Sequence, residues 1–190
     1  MMVLQQFTLL LLLLLPMQEN VRHEDTPAGN LIERNFHTAF DYTLRWGTKS
    51  FMRSLPDTFT INGLNNAYFW YESNRYLLLK INENDYRSKL LVLPLDDSSQ
   101  VQHFKDVITF NARTNLLVCM EKKNSVQFTD LTTGAQASMH VALPKGAKNI
   151  LSCIDSATMT KTELQLHWMK TPPQQIHSYR IPKLARPLTH

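Results

Sequence analysis

The sequence predicts a mainly β protein built of short antiparallel strands, preceded by one amphipathic helix. Three observations carry this reading. The stretch 116–134, LLVCMEKKNSVQFTDLTTG, runs from an apolar segment through a polar turn to a second apolar segment and a polar exit. Two flanking stretches, 77–99 and 163–182, repeat that pattern more loosely. Beyond Pro56, the short runs FTI, AYFW and YLLLKI are rich in aromatic and aliphatic residues and are bounded by Asn, Asp, Ser or Gly, the composition of strands and their turns.

Composition narrows the function classes. A chain of 190 residues with 43% apolar and 19% charged residues is long enough, and apolar enough, for an ordinary globular core. Only five glycines are present, so the turns fall to Asn, Asp, Ser and Pro, which enter turns by side-chain hydrogen bonding or by a preset φ. The net charge of +4 is mild, and the cations are scattered except at Lys122, Lys123 and in the stretch from Arg180 to Arg186. This reads as solvated surface charge, with a basic tail over 183–190, and no nucleic-acid partner is expected. Cys119 and Cys153 each sit in an apolar run, LLVCM and ILSCI, as buried free thiols do. A disulfide between them requires neighbouring strands of suitable geometry.

Taken in order, the chain opens with a hydrophobic leader over 1–17. Its run Phe7 to Leu15 is shorter than the roughly 20 residues a membrane-spanning helix needs, and it fits the apolar region of a secretory signal. The segment before it carries no Lys or Arg, no small residues follow Pro16, and the chain holds no Asn-x-Ser/Thr site. Two readings stand. A signal or anchor segment, favoured by the purity of the leucine run, makes the protein secreted or membrane-associated. A leucine-rich strand or helix packed on the domain leaves it intracellular.

Residues 18–29 turn polar and read as a linker. A helix is predicted over 30–47. Asn30 can cap it, Glu33 completes a capping box, and Ile32, Phe36, Phe40 and Leu44 recur four apart with Ala39 beside them. Gly47 falls where a helix-ending glycine belongs.

The repeat spans 58–182. Its three strand pairs are separated by short runs at 106–110 and 149–154, which supply the first strand of the next unit. Strands so closely spaced suit a sandwich, a barrel or a propeller. The central unit narrows that choice. Its segment 125–134, SVQFTDLTTG, resembles the end of a WD40 repeat. Val126 and Phe128 fall at the family's alternating apolar positions, Asp130 at its Asp position, and 132–134 in the turn toward an outermost strand. Thr129 stands where the family has Trp, and no Gly-His pair precedes the unit, so the family's hydrogen-bonded tetrad is not carried over. The resemblance implies a partial WD40-like β-propeller of about three blades, where a closed ring takes at least about four. The ring is then incomplete, as in a truncated or fragmentary product, or completed by another chain. The alternative is a single antiparallel β-sandwich with the helix at one end.

Chemistry-bearing motifs are sparse. Among seven histidines, His103, His167 and His177 lie in or beside strands, and no HExxH or pair of histidines four apart occurs. No CxxC or Cys/His pair has zinc-site spacing. No GxSxG elbow raises one serine above the rest, and the glycines never cluster into a phosphate loop. The acids Asp96, Asp97, Glu83 and Asp85 fall in predicted turns, where solvated carboxylates are ordinary. No catalytic, cofactor-binding or metal residue is assigned, and no enzyme activity or cofactor is expected. The aromatic cluster Tyr68, Phe69, Trp70, Tyr71 and Tyr76 reads as packing between sheets rather than as a binding hot spot.

The expected function is a non-catalytic protein-interaction scaffold on WD40-like repeats. A secreted or membrane-tethered β-sandwich binding domain is the alternative. Partners are expected to be proteins, with membrane contact only through the leucine run and self-association through open sheet edges.

Overall fold

The structure, a computed structural model, describes residues 20–56, 60–62, 67–84, 87–169 and 175–186, and every helix or strand assigned among them is a β-strand. The leader at 1–17 lies outside the described residues. The chain divides into two compact units, Met1–Gly63 and Leu64–His190.

In the first unit, β1 (Asn20–Asp25), β2 (Leu31–Phe36), β3 (Asp41–Thr48) and β4 (Phe51–Ser54) form one antiparallel sheet in chain order. The two-residue β5 (Ile61–Asn62) also pairs with β3. This corrects two expectations. The helix predicted over 30–47 is the β2–β3 hairpin, and the linker predicted over 18–29 contains β1. Tyr42, Leu44 and Trp46 alternate along β3 and are buried, whereas Arg45 between them is exposed. Ile32 lies across from Trp46, and Phe36 across from Tyr42. Phe40, counted in the helical stripe, sits in the turn at 51% exposure. Glu33 does not cap a helix but forms an ion pair with Arg45 on the neighbouring strand at 2.9 Å. Gly47 is not a helix terminus: it lies opposite Met52 in the β3–β4 hairpin, and a Cβ there would fall 2.0 Å from the carbonyl oxygen of Phe51.

The second unit holds three antiparallel sheets, each a meander in chain order. The first is β6 (Ala67–Glu72), β7 (Tyr76–Asn82), β8 (Ser88–Pro94) and β9 (Gln102–Lys105). The second is β10 (Val107–Asn111), β11 (Leu116–Lys122), β12 (Ser125–Asp130) and β13 (Gln136–His140). The third is β14 (Ile154–Met159), β15 (Glu163–Trp168) and β16 (Ile176–Arg180). The strand pairs predicted at 77–99, 116–134 and 163–182 are β7–β8, β11–β12 and β15–β16, and the run predicted at 106–110 is β10. The strand predicted at 149–154 begins only at Ile154. Before it, Asn149 Oδ1 accepts from the Ser152 amide (2.9 Å) and the amides of Cys153 and Ile154 both donate to the Ile150 carbonyl, which closes a turn.

The sheets stack in series because their middle strands are apolar on both faces. Leu117 and Cys119 of β11 pack with Tyr76, Leu78, Leu90 and Val92 of the first sheet. Leu116 and Val118, one residue out of phase, pack with Val126, Phe128 and the third sheet's Leu164, Leu166 and Trp168. Burying a side chain such as Phe128 contributes about 3 kcal/mol. The third sheet breaks the pattern on its far side. Ser156, Thr158, Glu163, Ser178 and Arg180 are exposed there, and Gln165 is half-buried. That face is polar and solvated apart from Ile176 and His167.

One residue joins the first two sheets. Asp106 separates β9 from β10 with a φ of 54°, a left-handed conformation that Asp tolerates better than most residues. Its amide donates to the Ser88 carbonyl and its carbonyl accepts from the Met120 amide, each at 2.8 Å. Its carboxylate accepts two hydrogen bonds from Arg87, at 2.8 and 3.0 Å.

Two stability predictions follow from this packing. Phe128→Ala should lower unfolding free energy by about 4 kcal/mol through lost burial and the cavity left behind, read by chemical denaturation. Asp106→Ala should lower it by about 2 kcal/mol, and Asp106→Asn by clearly less, because Asn keeps the tolerance for positive φ.

Candidate functional site

In a meander, every second turn returns to the same end of the sheet. The β6–β7, β10–β11 and β14–β15 turns therefore share one end of the second unit with the segments leaving β8, β12 and β16. Cross-sheet hydrogen bonds tie this end together. Tyr76 Oη donates to Asn115 Oδ1 at 2.5 Å, and the Leu131 amide donates to the Asn115 carbonyl at 2.9 Å. Asn111 Nδ2 donates to the Met159 carbonyl at 3.0 Å, and the backbones of Gln136 and Ala185 exchange two hydrogen bonds.

The acidic residues of this end are engaged in building its turns. Asp96 accepts from the amides of Ser98 (3.0 Å) and Ser99 (2.6 Å) and from both hydroxyls, and these bonds, those of Ser99 foremost, hold its carboxyl down to about 2. Asp130 accepts from the amides of Thr132 (2.8 Å) and Thr133 (3.1 Å), with Gly134 at a φ of 70° completing the turn. Thr160 Oγ1 accepts in the same way from the Thr162 and Glu163 amides. Asn111 Oδ1 accepts from the Arg113 amide, and Asn115 takes a φ of 54°.

The basic residues are left over. Arg113, Lys161, Arg180 and Lys183 form no ion pair with any other described residue. They line two adjoining clefts. One, of about 770 Å³, lies between the β10–β11 and β14–β15 turns and includes Arg113, Thr114, Met159 and Lys161. The other, of about 370 Å³, lies between Thr114, Asp130, Lys161 and the 180–184 segment. Thr114 and Lys161 border both, and Thr114 Oγ1 is buried without a hydrogen-bond partner. A third cleft of about 350 Å³ opens between Arg75, Asp96, Ser99 and Thr132. The surface gathers cations around a hydrogen-bonded framework of turns.

The other residues singled out from the sequence lie elsewhere. Trp70 and Tyr71 pack on Phe110 with ring centroids 6.0 and 5.2 Å away, and Tyr71 packs on Tyr76 at 6.3 Å. Tyr68 is exposed, and Lys80 lies 4.7 Å over the Trp70 ring. Burial pushes the Tyr76 phenol up to about 12, with Tyr71 and Asp130 adding to it. His177 meets Trp168 edge-on at 5.9 Å, and His167 lies on the third sheet's outer face with a buried, unpartnered Nε2. Glu83 pairs with Lys89, Asp97 is exposed, and Asp85 lies outside the described residues. Among the described residues, no group of three His, Cys, Asp or Glu is placed to hold a metal ion.

Sequence reasoning saw the basic stretch from Arg180 to Arg186 but not its convergence with Arg113 and Lys161. That convergence depends on how the sheets stack. Asn115, followed directly by an apolar run, was the one local signal of a left-handed turn.

Both cysteines are free thiols. Cys153 lies in the 151–153 turn, where its Sγ donates to the Asn149 carbonyl, and burial raises its pKa. Burial between the first two sheets pushes the Cys119 thiol up to about 12, with the Asp106 carboxylate adding to it.

No family model matches this chain, and no curated protein or solved structure matches it. No helix among the described residues is long and apolar enough to cross a membrane.

The Cys119 and Tyr76 shifts set a pH dependence. An acid whose folded pKa lies above its unfolded value favours folding while it stays protonated in both states. Above about pH 9 the unfolded Cys119 ionises and the folded one does not, so stability should fall from there toward pH 12. Tyr76 adds to the fall above about pH 10. Denaturation midpoints measured across this range should decline less steeply for Cys119→Ala than for the native chain.

Proposed function

We propose that the protein is a non-catalytic interaction scaffold, its second unit a partial WD40-like propeller that presents the basic turn surface to protein partners. The observation that carries this reading is the serial face-to-face stacking of three in-order antiparallel meanders. A stack of small sheets is a rigid frame whose turns form an extended display surface. The 125–134 segment supports the family likeness: Val126 and Phe128 point into the core between the second and third sheets, and Asp130 organises the turn toward β13. Thr129, in the family's Trp position, is buried and faces the first sheet's side of β12. The blade is therefore a variant of the family pattern, held by apolar packing rather than by the tetrad.

The turn surface suits partners that offer acidic groups. Its turn acids already bond to backbone amides, while Arg113 and Lys161 line a cleft and form no ion pair among the described residues. Opposite-sign surfaces speed encounter and reject partners of like charge.

The test compares two charge-reversed variants of the full chain by in-cell cross-linking and mass spectrometry. Arg113→Glu with Lys161→Glu should lose the cross-linked protein partners of the native chain. Lys145→Glu with Lys148→Glu, in the 141–153 connection at the opposite end, should keep them. Equal recovery with both variants, or no specific partner with the native chain, overturns the reading.

A further inference from the structure

The three sheets of the second unit are unequal. The first two end on a fourth strand, β9 against β8 and β13 against β12. Among the described residues the third stops at β16, which pairs there with β15 alone. The ladder shows which groups are left over. The Ile181 amide donates to the Thr162 carbonyl at 2.8 Å and the Trp168 amide to the Gln175 carbonyl at 3.1 Å. These fix the hydrogen-bonded positions of the pair, and by alternation His177 and Tyr179 bond inward to β15. Ile176, Ser178 and Arg180 therefore direct their amides and carbonyls away from the sheet, with no partner among the described residues.

Open edges are normally blunted by Lys, Pro or a covering segment. β9 is short and ends on Lys105, and β13 is covered at Gln136 by Ala185. β16 has neither Lys nor Pro, and its Ile176 is 52% exposed. Its far end is different. Arg180 borders the cleft that also holds Lys161 and Lys183, all without ion pairs among the described residues, although Glu163 stands across the ladder from Arg180. The edge is thus apolar at one end and cationic at the other. A second copy pairing antiparallel through the same edge would bring the same cations and leave them uncompensated.

We propose that an extended acidic segment of a protein partner adds to β16 as the fourth strand of the third sheet. Each neighbouring pair in these sheets is antiparallel, so the segment runs antiparallel to β16. Its N-terminal, acidic half meets Arg180, Lys183 and Lys161, and its C-terminal half sets an apolar side chain beside Ile176. Main-chain hydrogen bonds hold the strand, and the charge pairing fixes its register. This names the partner chemistry for the scaffold reading and rests on it.

The probe is a fluorescein-labelled synthetic peptide with Asp and Glu in its N-terminal half and alternating Val and Thr in its C-terminal half. It is added to the full chain, with fluorescence anisotropy and amide hydrogen exchange as readouts. Binding should slow exchange at the Ile176, Ser178 and Arg180 amides by at least about tenfold. Ser178→Pro removes one edge donor without touching the inward ladder and should abolish binding, whereas Ser178→Ala should bind as the native chain does. Arg180→Glu with Lys183→Glu should weaken binding by at least about tenfold, and a peptide with Lys in place of the acids should not bind. Thermal melts verify that each variant is folded.

The proposal is overturned by an acidic peptide that does not bind, or that binds without slowing those three amides. It is also overturned if the amides are already protected in the dilute free chain, which means that another segment of this chain covers the edge. Protection that grows with protein concentration alongside a dimer mass assigns the edge to a second copy and overturns it too. If the peptide fails while cross-linked partners still depend on Arg113 and Lys161, this inference falls and the scaffold reading stands. If the peptide binds while that dependence is absent, the edge is a binding site and the turn surface is not.

Discussion

Strand β11 is apolar on both faces, and its neighbours are arranged to cover it twice. Leu117 and Cys119 need a sheet on one side, and Leu116 and Val118 need another on the opposite side. A two-layer sandwich covers each strand once and leaves the other face to water. Three layers in series are the smallest arrangement that buries this strand, and the turns at both ends inherit their positions from that stacking. The far face of the third sheet has changed chemistry, from Leu and Val to Ser, Thr, Gln and Glu, with His167 and Ile176 beside them.

The electrostatics of the turn end follow from the scarcity of glycine. Turns made by Asp and Asn consume side-chain oxygens on backbone amides, as Asp96, Asp130 and Asn111 do. These carboxylates keep their charge, and Asp130 lines the same cleft as Lys161 without forming an ion pair with it. Arg113, Lys161, Arg180 and Lys183 gather at this end without ion pairs among the described residues. At the other end Arg87 pairs with Asp106 and Lys89 with Glu83, while Lys105, Lys122, Lys123, Lys145 and Lys148 form no ion pair among the described residues.

The sequence revealed strands where short apolar runs are bounded by polar turn residues, as in β7–β8 and β11–β12. The first unit misled for a geometric reason. Ile32, Phe36, Phe40 and Leu44 are four apart, which is one helical face but also every second position on one face of a strand. Tyr42 and Trp46, at the intervening even positions, decide for the strand, and cross-strand pairing with β2 makes the decision structural. At 149–154 the apolar run ILSCI looked like a strand, but the Asn149–Ser152 hydrogen bond closes a turn first. The basic clefts were not legible at all. Arg113, Lys161 and Lys183 lie far apart along the chain and meet only because the sheets stack in order.

The two connections between sheets differ sharply in length. The first and second sheets are joined by Asp106 alone, while the second and third are joined by 141–153. Closing the longer tether forfeits roughly 2 kcal/mol more chain entropy than closing a single residue. That tether is nonetheless fastened along its length: Val141 and Ile150 are fully buried between the second and third sheets, and their amides donate to the Asn124 and Lys123 carbonyls.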